Sequence, residues 1–213
     1  MSFSSENSSQ KRELVVGLTG ASGAMIGQRL IRHLLDGGHR VHAIVSPSAR
    51  LVFAAELDIQ LGAGHEQLVR DLKAHYGDHP GLQVAAADDF AARVSSGSAK
   101  IDGMVIAPCS MSTAGAVAHG ITLNLIHRAA SVSLKERRPL VLVPRESPLS
   151  LVHLRSLQLL AEAGAHIVPA TTAFYHRPRT VEAMVDFTVG RVLDLLKIEH
   201  GLFPRWRESP AEE

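Results

Sequence analysis

The 213-residue sequence has a single cysteine, Cys109. No internal disulfide can form, and a reducing cytoplasm is the compartment expected. Aromatics make up 4% of the chain and the formal net charge is +1. Nucleic-acid duplexes call for a clustered basic excess that is missing here, so no nucleic-acid partner is expected. The one basic cluster, Lys135-Glu136-Arg137-Arg138, ends a helical stretch, where cations suit a helix C-terminus. No apolar run approaches the length of a membrane span, and no membrane association is expected. Residues Met1 to Arg12 are serine-rich and lack the apolar core of a signal peptide, which reads as a disordered tail. The twelve histidines are scattered. His75 and His79 have metal-like spacing, yet Gly77 and Pro80 place them in a turn with no acidic or cysteine companions, so no metal is expected.

What is present is an ordinary globular composition, 46% hydrophobic and 20% charged, enough for one domain with a full core. Short β-branched runs alternate with stretches of helical period, the signature of a parallel α/β sheet. Strands are expected at Leu14–Leu18, Val41–Val45, Leu82–Ala86, Gly103–Ala107, Leu140–Val143 and His166–Val168. The helix after the first strand places Ile26, Leu30 and Leu34 on one face and stops at Gly37-Gly38. Ser46-Pro47 and Ser147-Pro148 each read as an N-cap followed by proline at the first helical position. A last helix is expected from about Thr180 to Ile198, and residues 57–100 are the least regular.

Strand after strand ends in proline or serine followed by polar groups: Val45-Ser46-Pro47, Ala107-Pro108-Cys109-Ser110, Val143-Pro144-Arg145-Glu146 and Val168-Pro169-Ala170-Thr171. Ligands of open parallel sheets bind at the carboxyl ends of strands, so these loops should converge on one crevice with the opening turn Leu18-Thr19-Gly20-Ala21-Ser22-Gly23. That turn follows a strand and precedes a helix, a phosphate-binding arrangement. A dinucleotide fingerprint would need a further glycine where Ile26 stands and an acid after the second strand, where Ser46-Pro47-Ser48 stands. A mononucleotide phosphate meeting backbone N–H groups and the Ser22 and Ser46 hydroxyls fits better, with a purely structural glycine turn as the bland reading. The charged candidates have bland readings too. Arg145-Glu146 can be a surface ion pair, Arg191 a snorkelling arginine, Lys135 a solvated helix end and Glu56 a solvent-facing glutamate. Tyr175 can be a packed loop aromatic and Cys109 a buried thiol.

Taken together, "LTGASGAMIG", "APCSMST", "NLIHRAASVSLKERRPLVLVPRESPLS" and "PATTAFYHRP" closely resemble the UbiX-type flavin prenyltransferases, from about Glu13 to Trp206. The segment Asn124 to Ser150 is the most specific. The resemblance implies an α/β three-layer sandwich, Rossmann-like or flavodoxin-like, with a mainly parallel sheet. It implies a single flavoprotein domain over 13–200 and a tail, 201–213, that covers the active site. It also implies a homo-oligomer, a dodecamer, with active sites between subunits. The reaction implied joins a dimethylallyl group from dimethylallyl phosphate to N5 and C6 of reduced FMN, without a metal, for use by a UbiD-type decarboxylase.

Carried onto this sequence, the resemblance assigns Gly20, Ala21, Ser22, Ser46, Ser96, Ser110, Thr113, Arg128 and Arg145 to FMN, with Arg128 reaching from a neighbouring subunit. It assigns Lys135, Arg145, Glu146, Tyr175, Arg191 and Trp206 to the prenyl phosphate. The resemblance makes Glu146, Glu56, Ser22 and Lys135 the catalytic group. Such types suit the chemistry, since allylic C–O cleavage puts negative charge on phosphate that preorganised cations stabilise. The sequence departs from its relatives at Phe90, where they often have Trp, at Pro47, where they often have Lys, and at Ser131, where they often have Asp. Two rivals remain. A flavin-dependent cysteine-type decarboxylase would carry an asparagine in the loop Pro108-Cys109-Ser110-Met111-Ser112-Thr113, which has none. A non-catalytic FMN carrier would need no second phosphate site.

Overall fold

The computed structural model describes residues 11–206. Its strands are β1 (Glu13–Leu18), β2 (Arg40–Val45), β3 (Leu82–Ala86), β4 (Gly103–Cys109), β5 (Leu140–Pro144) and β6 (His166–Ile167). Its helices are α1 (Ala24–Asp36), α2 (Pro47–Leu57), α3 (His65–His75), α4 (Met111–Ala118), α5 (Leu125–Lys135), α6 (Leu151–Glu162) and α7 (Val181–Leu195). All six strands are parallel, in the order β3-β2-β1-β4-β5-β6. This is the three-layer sandwich expected, with the strand order of Rossmann folds.

The four central strands, β1, β2, β4 and β5, bury both faces, which is why their sequences read as apolar runs, while the edge strands β3 and β6 are only partly covered. Leu14, Val16 and Leu18 of β1, with Val105, Ala107, Val141 and Val143, face one core that also holds residues of α1, α2, α3 and α7. Val15, Ile44, Met104, Ile106, Leu140 and Leu142 point the other way, into a core closed by α4, α5 and α6. The first helix ends as its glycines suggest, with Gly38 in the left-handed region at φ 76° and the Gly38 and His39 N–H groups returning to Leu35 and Leu34 carbonyls.

Three local expectations are corrected. Ser46 does cap α2, accepting from Ala49 N–H at 3.1 Å, but Ser147 does not open α6. There Ser150 is the cap, its hydroxyl accepting from His153 N–H at 3.2 Å while its own N–H donates to His153 Nδ1 at 3.3 Å. That reciprocal pair satisfies two helix-end donors, which Ser147 could not do from three residues upstream. Residues 57–100 are more regular than expected, since they carry α3 and β3. The apolar stripe of α3 is only Leu68 and Leu72, too narrow to stand out in sequence. At the amino end, Arg12 belongs to the packed domain: its N–H donates to His39 Nδ1 and its guanidinium to the Leu196 carbonyl. The rest of the expected N-terminal tail, residues 1–10, and residues 207–213 lie outside the described residues.

Candidate active site

β1 and β4 are the neighbours at which the strand order reverses, and their carboxyl ends define the crevice. Thr19 clamps the two loops there. Its hydroxyl donates to the Pro108 carbonyl at 2.7 Å and accepts from Ser110 N–H at 2.8 Å. Gly20 has no room for a side chain because Ser48, at the start of α2, lies against it. Gly23 adopts φ 111° at the turn into α1, a conformation glycine supplies without steric cost. A side chain at Gly27 would overlap the Ala107 carbonyl. The close helix–strand approach made by the third glycine of a dinucleotide fingerprint is thus made by Gly27, one residue after Ile26.

The first turn of α1 is already occupied. Glu56, in the last turn of α2, accepts from Gly23 N–H at 2.9 Å, from Ala24 N–H at 2.8 Å and from the Ser22 hydroxyl. Burial pushes its carboxyl up, but those hydrogen bonds, with the charge of Arg145, outweigh burial and hold it below its ordinary value. Glu56 is therefore a carboxylate at neutral pH, an acceptor and not an acid. The N–H groups that the sequence offers to a phosphate are spent on this internal carboxylate. A side-chain anion is as good an occupant of a helix N-terminus as a ligand is.

The next hydroxyl-rich place lies across the switch point. Ser110 Oγ caps α4 and lies 3.1 Å from both Ser112 Oγ and Thr113 Oγ1. Ser46 stands at the end of β2, held by its N–H to the Leu18 carbonyl at 3.0 Å. The residues thus offer hydroxyls and a guanidinium, with no acid at the end of β2. Such a donor set fits the phosphate and polyol chain of a flavin mononucleotide.

Arg145 joins the group from β5: its Nε donates to the Ser22 carbonyl at 3.2 Å. Glu146 is exposed beside it and accepts from Ser147 N–H. Ala170 N–H donates to the Pro144 carbonyl at 3.0 Å, which sets the loop after β6 alongside Arg145. That loop leads to Tyr175, whose ring meets Trp206 edge-on at 5.0 Å and Phe187 at 6.2 Å. Arg191, on α7, pairs with Asp194 at 2.7 Å.

Ser96, Arg128 and Lys135 form a second group. Arg128 Nε donates to the Ser95 carbonyl at 3.0 Å, and Ser96 Oγ lies 2.9 Å from Ser98 Oγ. Lys135 pairs with Glu136, and its ammonium packs against Gly97. α5 starts near the end of β3, where Leu125 N–H donates to the Ala87 carbonyl. Its 11 residues then descend about 16 Å toward the amino ends of the strands. Lys135 therefore lies at the opposite edge of the sheet from Arg145 and Glu146 of its own chain. Sequence reasoning passed over Thr19 and Asp194. The first is legible as the residue before the turn glycine, the second as the acid three residues after Arg191 on one helix face.

Cys109 is fully buried and burial pushes its thiol up to about 12, so it is no nucleophile at neutral pH. Among the described residues no three acidic, histidine or cysteine side chains gather as a metal site, and no helix is long and apolar enough to cross a membrane.

The flavoprotein family model matches residues 2–194. The flavin prenyltransferase UbiX of Pseudomonas aeruginosa is 45% identical over 92% of this chain and 94% of its own. A crystal structure of AnUbiX (PadA1) in complex with FMN and dimethylallyl pyrophosphate superposes with a TM-score of 0.83 at 39% identity, covering 93% of this chain and 98% of that one. A dodecameric FMN-dependent UbiX-like decarboxylase from Escherichia coli O157:H7 gives a TM-score of 0.82 at 38% identity, over 92% and 99%. The chain belongs to the flavoprotein family and, within it, to the UbiX flavin prenyltransferases.

Proposed function

We propose that this chain transfers a dimethylallyl group from dimethylallyl phosphate to N5 and C6 of reduced FMN, in the cytoplasm, and that a UbiD-type decarboxylase receives the product. The observation that carries the reading is the Ser22–Glu56–Arg145 group at the switch point, set beside the loop that bears Tyr175. Reduced FMN, when bound, supplies the nucleophilic N5 and C6 positions. Gly20, Ala21, Ser22, Ser46, Ser110 and Thr113 line its place, with Arg145 at the edge.

The remaining chemistry falls to the side chains. Arg145, Arg191 and Lys135 take up the charge that develops on phosphate as the allylic C–O bond breaks, and Tyr175 and Trp206 shield the prenyl group from water. Glu146, beside Arg145, is the side chain assigned to acid–base work at the departing phosphate. Ionised Glu56 accepts a hydrogen bond from Ser22, so the proton released when the N5–C bond forms can pass through the Ser22 hydroxyl to that carboxylate.

Lys135 serves a neighbouring subunit's crevice, because α5 carries it away from its own, and Arg128 reaches the flavin of a neighbouring subunit while Ser96 lies beside the flavin. Leu149, Leu151, Val152 and Leu154 form an exposed apolar patch next to Glu146 that suits burial against a second copy. The assembly proposed is a dodecamer with active sites between subunits, supported by the dodecameric UbiX-like decarboxylase that this chain resembles. The decarboxylase reading has less support: Cys109 is inert and the β4 loop lacks an asparagine. A carrier of FMN alone would have no use for Arg191 and Tyr175.

The test is anaerobic incubation of the protein with reduced FMN and dimethylallyl phosphate or the pyrophosphate, with mass spectrometry of the flavin. A flavin heavier by one prenyl unit is expected. An unchanged flavin with both donors overturns the reading.

A further inference from the structure

One carboxylate at the end of α7 gathers an unusual number of partners. Asp194 Oδ2 accepts from Arg191 Nη1 at 2.7 Å and from Arg205 Nη1 at 2.8 Å. Its Oδ1 accepts from Arg205 Nη2 at 2.7 Å and lies 3.2 Å from His200 Nε2. The Arg205 contact is the two-pronged fork that fixes both groups in one plane. Arg205 and His200 belong to the strap 198–206, which folds back along α7. Phe203 of the strap is buried where Gly190 leaves α7 bare, and its ring lies 4.8 Å from that of Phe187. Trp206, next in sequence to Arg205, meets Tyr175. Arg191 also lines a cavity of about 360 Å³ between β6 and α7, with Thr171, Phe187 and Thr188.

Asp194 therefore touches two things that the proposed reaction needs in place together. It orients Arg191, and it anchors the strap that carries Trp206. Beside the strap, both nitrogens of His176, whose ring stacks on Phe187 at 5.3 Å, are buried without a hydrogen-bond partner among the described residues. The Asp194 clasp and the Phe203 contact hold the strap against α7.

We propose that Asp194 is a positioning residue that couples donor binding to closure of the 198–206 strap, resting on the reading of Arg191, Tyr175 and Trp206 as the prenyl-phosphate group. Phosphate on Arg191 favours the closed clasp, and the closed clasp favours phosphate by the same factor, because binding linkage is reciprocal. FMN binding, which uses the loops after β1, β2 and β4, is outside the coupling.

The test compares wild type with Asp194→Asn and Arg205→Ala in the full-length assembly. Trp206 is the only tryptophan, so its fluorescence anisotropy in flavin-free protein reports the strap. In wild type, dimethylallyl phosphate raises the anisotropy. In both variants the starting anisotropy is lower, the rise is lost, and KM for the donor increases on the order of 10- to 100-fold, while FMN affinity is unchanged and kcat falls less than KM rises. Arg205→Ala leaves α7 intact and carries the test if Asp194→Asn fails to assemble. Unchanged KM and unchanged Trp206 response in Arg205→Ala overturn the coupling while wild-type turnover leaves the proposed function standing. Wild type that makes no prenylated flavin overturns the proposed function instead.

Discussion

Gly190 is where the strap makes its most specific demand. In the middle of α7, helix propensity alone would favour alanine by about 1 kcal/mol. An ideal Cβ there lies 2.6 Å from His200 Cε1 and 2.8 Å from Phe203 Cδ1, about 1 Å inside ordinary carbon–carbon contact. α7 cannot retreat, because Val189, Val192 and Leu193 pin its other side to the main core. The strap must move. Losing the burial of one phenylalanine costs about 1.5–3 kcal/mol. Set against the propensity gain, the net loss is about 0.5–2 kcal/mol, a drop of roughly 1–8 °C in melting temperature for a chain of this size. Gly190→Ala should therefore keep its far-ultraviolet circular dichroism and its FMN affinity. It should lower Trp206 anisotropy and raise KM for the donor as Arg205→Ala does. A variant with wild-type anisotropy and wild-type KM would refute the packing argument, and so would collapse of the whole fold.

Three further outcomes are expected. Glu56→Gln loses a charged acceptor at the start of α1, worth roughly 1–2 kcal/mol after discounting for its exposure, and a proton acceptor worth roughly 10²- to 10⁴-fold in rate. Denaturant melts and single-turnover flavin mass spectrometry measure the two effects, and full turnover would remove Glu56 from the proton path. Gly27→Ala forces a methyl onto the Ala107 carbonyl, so it should destabilise by about 1–3 kcal/mol, read as an earlier urea midpoint; an unshifted midpoint contradicts the close packing. Burial raises the Asp194 carboxyl, but hydrogen bonds from Arg205 and His200 outweigh it and hold it below 3.8. The clasp is then fully present above 3.8 and is lost only as pH falls through the lower folded value. An acid titration of Trp206 anisotropy should show a midpoint below 3.8, and one above it contradicts the clasp.

The central strands were legible because each is buried on both faces, which leaves unbroken runs such as Leu14-Val15-Val16 and Leu140-Val141-Leu142-Val143. The polar residues after each run were legible for the same reason: in a parallel sheet they can only lie at one edge. The narrow stripe of α3 was not, since two leucines on a polar helix carry little periodicity. Ser147-Pro148 misled because a cap depends on what lies three residues ahead, and only Ser150 has His153 there.

The sequence by itself determined the parallel α/β class, the crevice at the carboxyl ends of the strands and the family, since these rest on local periodicity and contiguous motifs. Only the tertiary structure decided what the side chains do. Glu56 reads as a solvent-facing helix residue until α2 packs against the turn 33 residues earlier and its carboxylate takes the N–H groups a phosphate might have used. Arg145 meets Ser22 across 123 residues of chain. Lys135 and Arg145 look like neighbours in sequence, yet one helix and one strand running in opposite senses carry them to opposite edges of the sheet. Such pairings depend on where separate elements dock, and docking is fixed by burial over the whole core and not by any one segment.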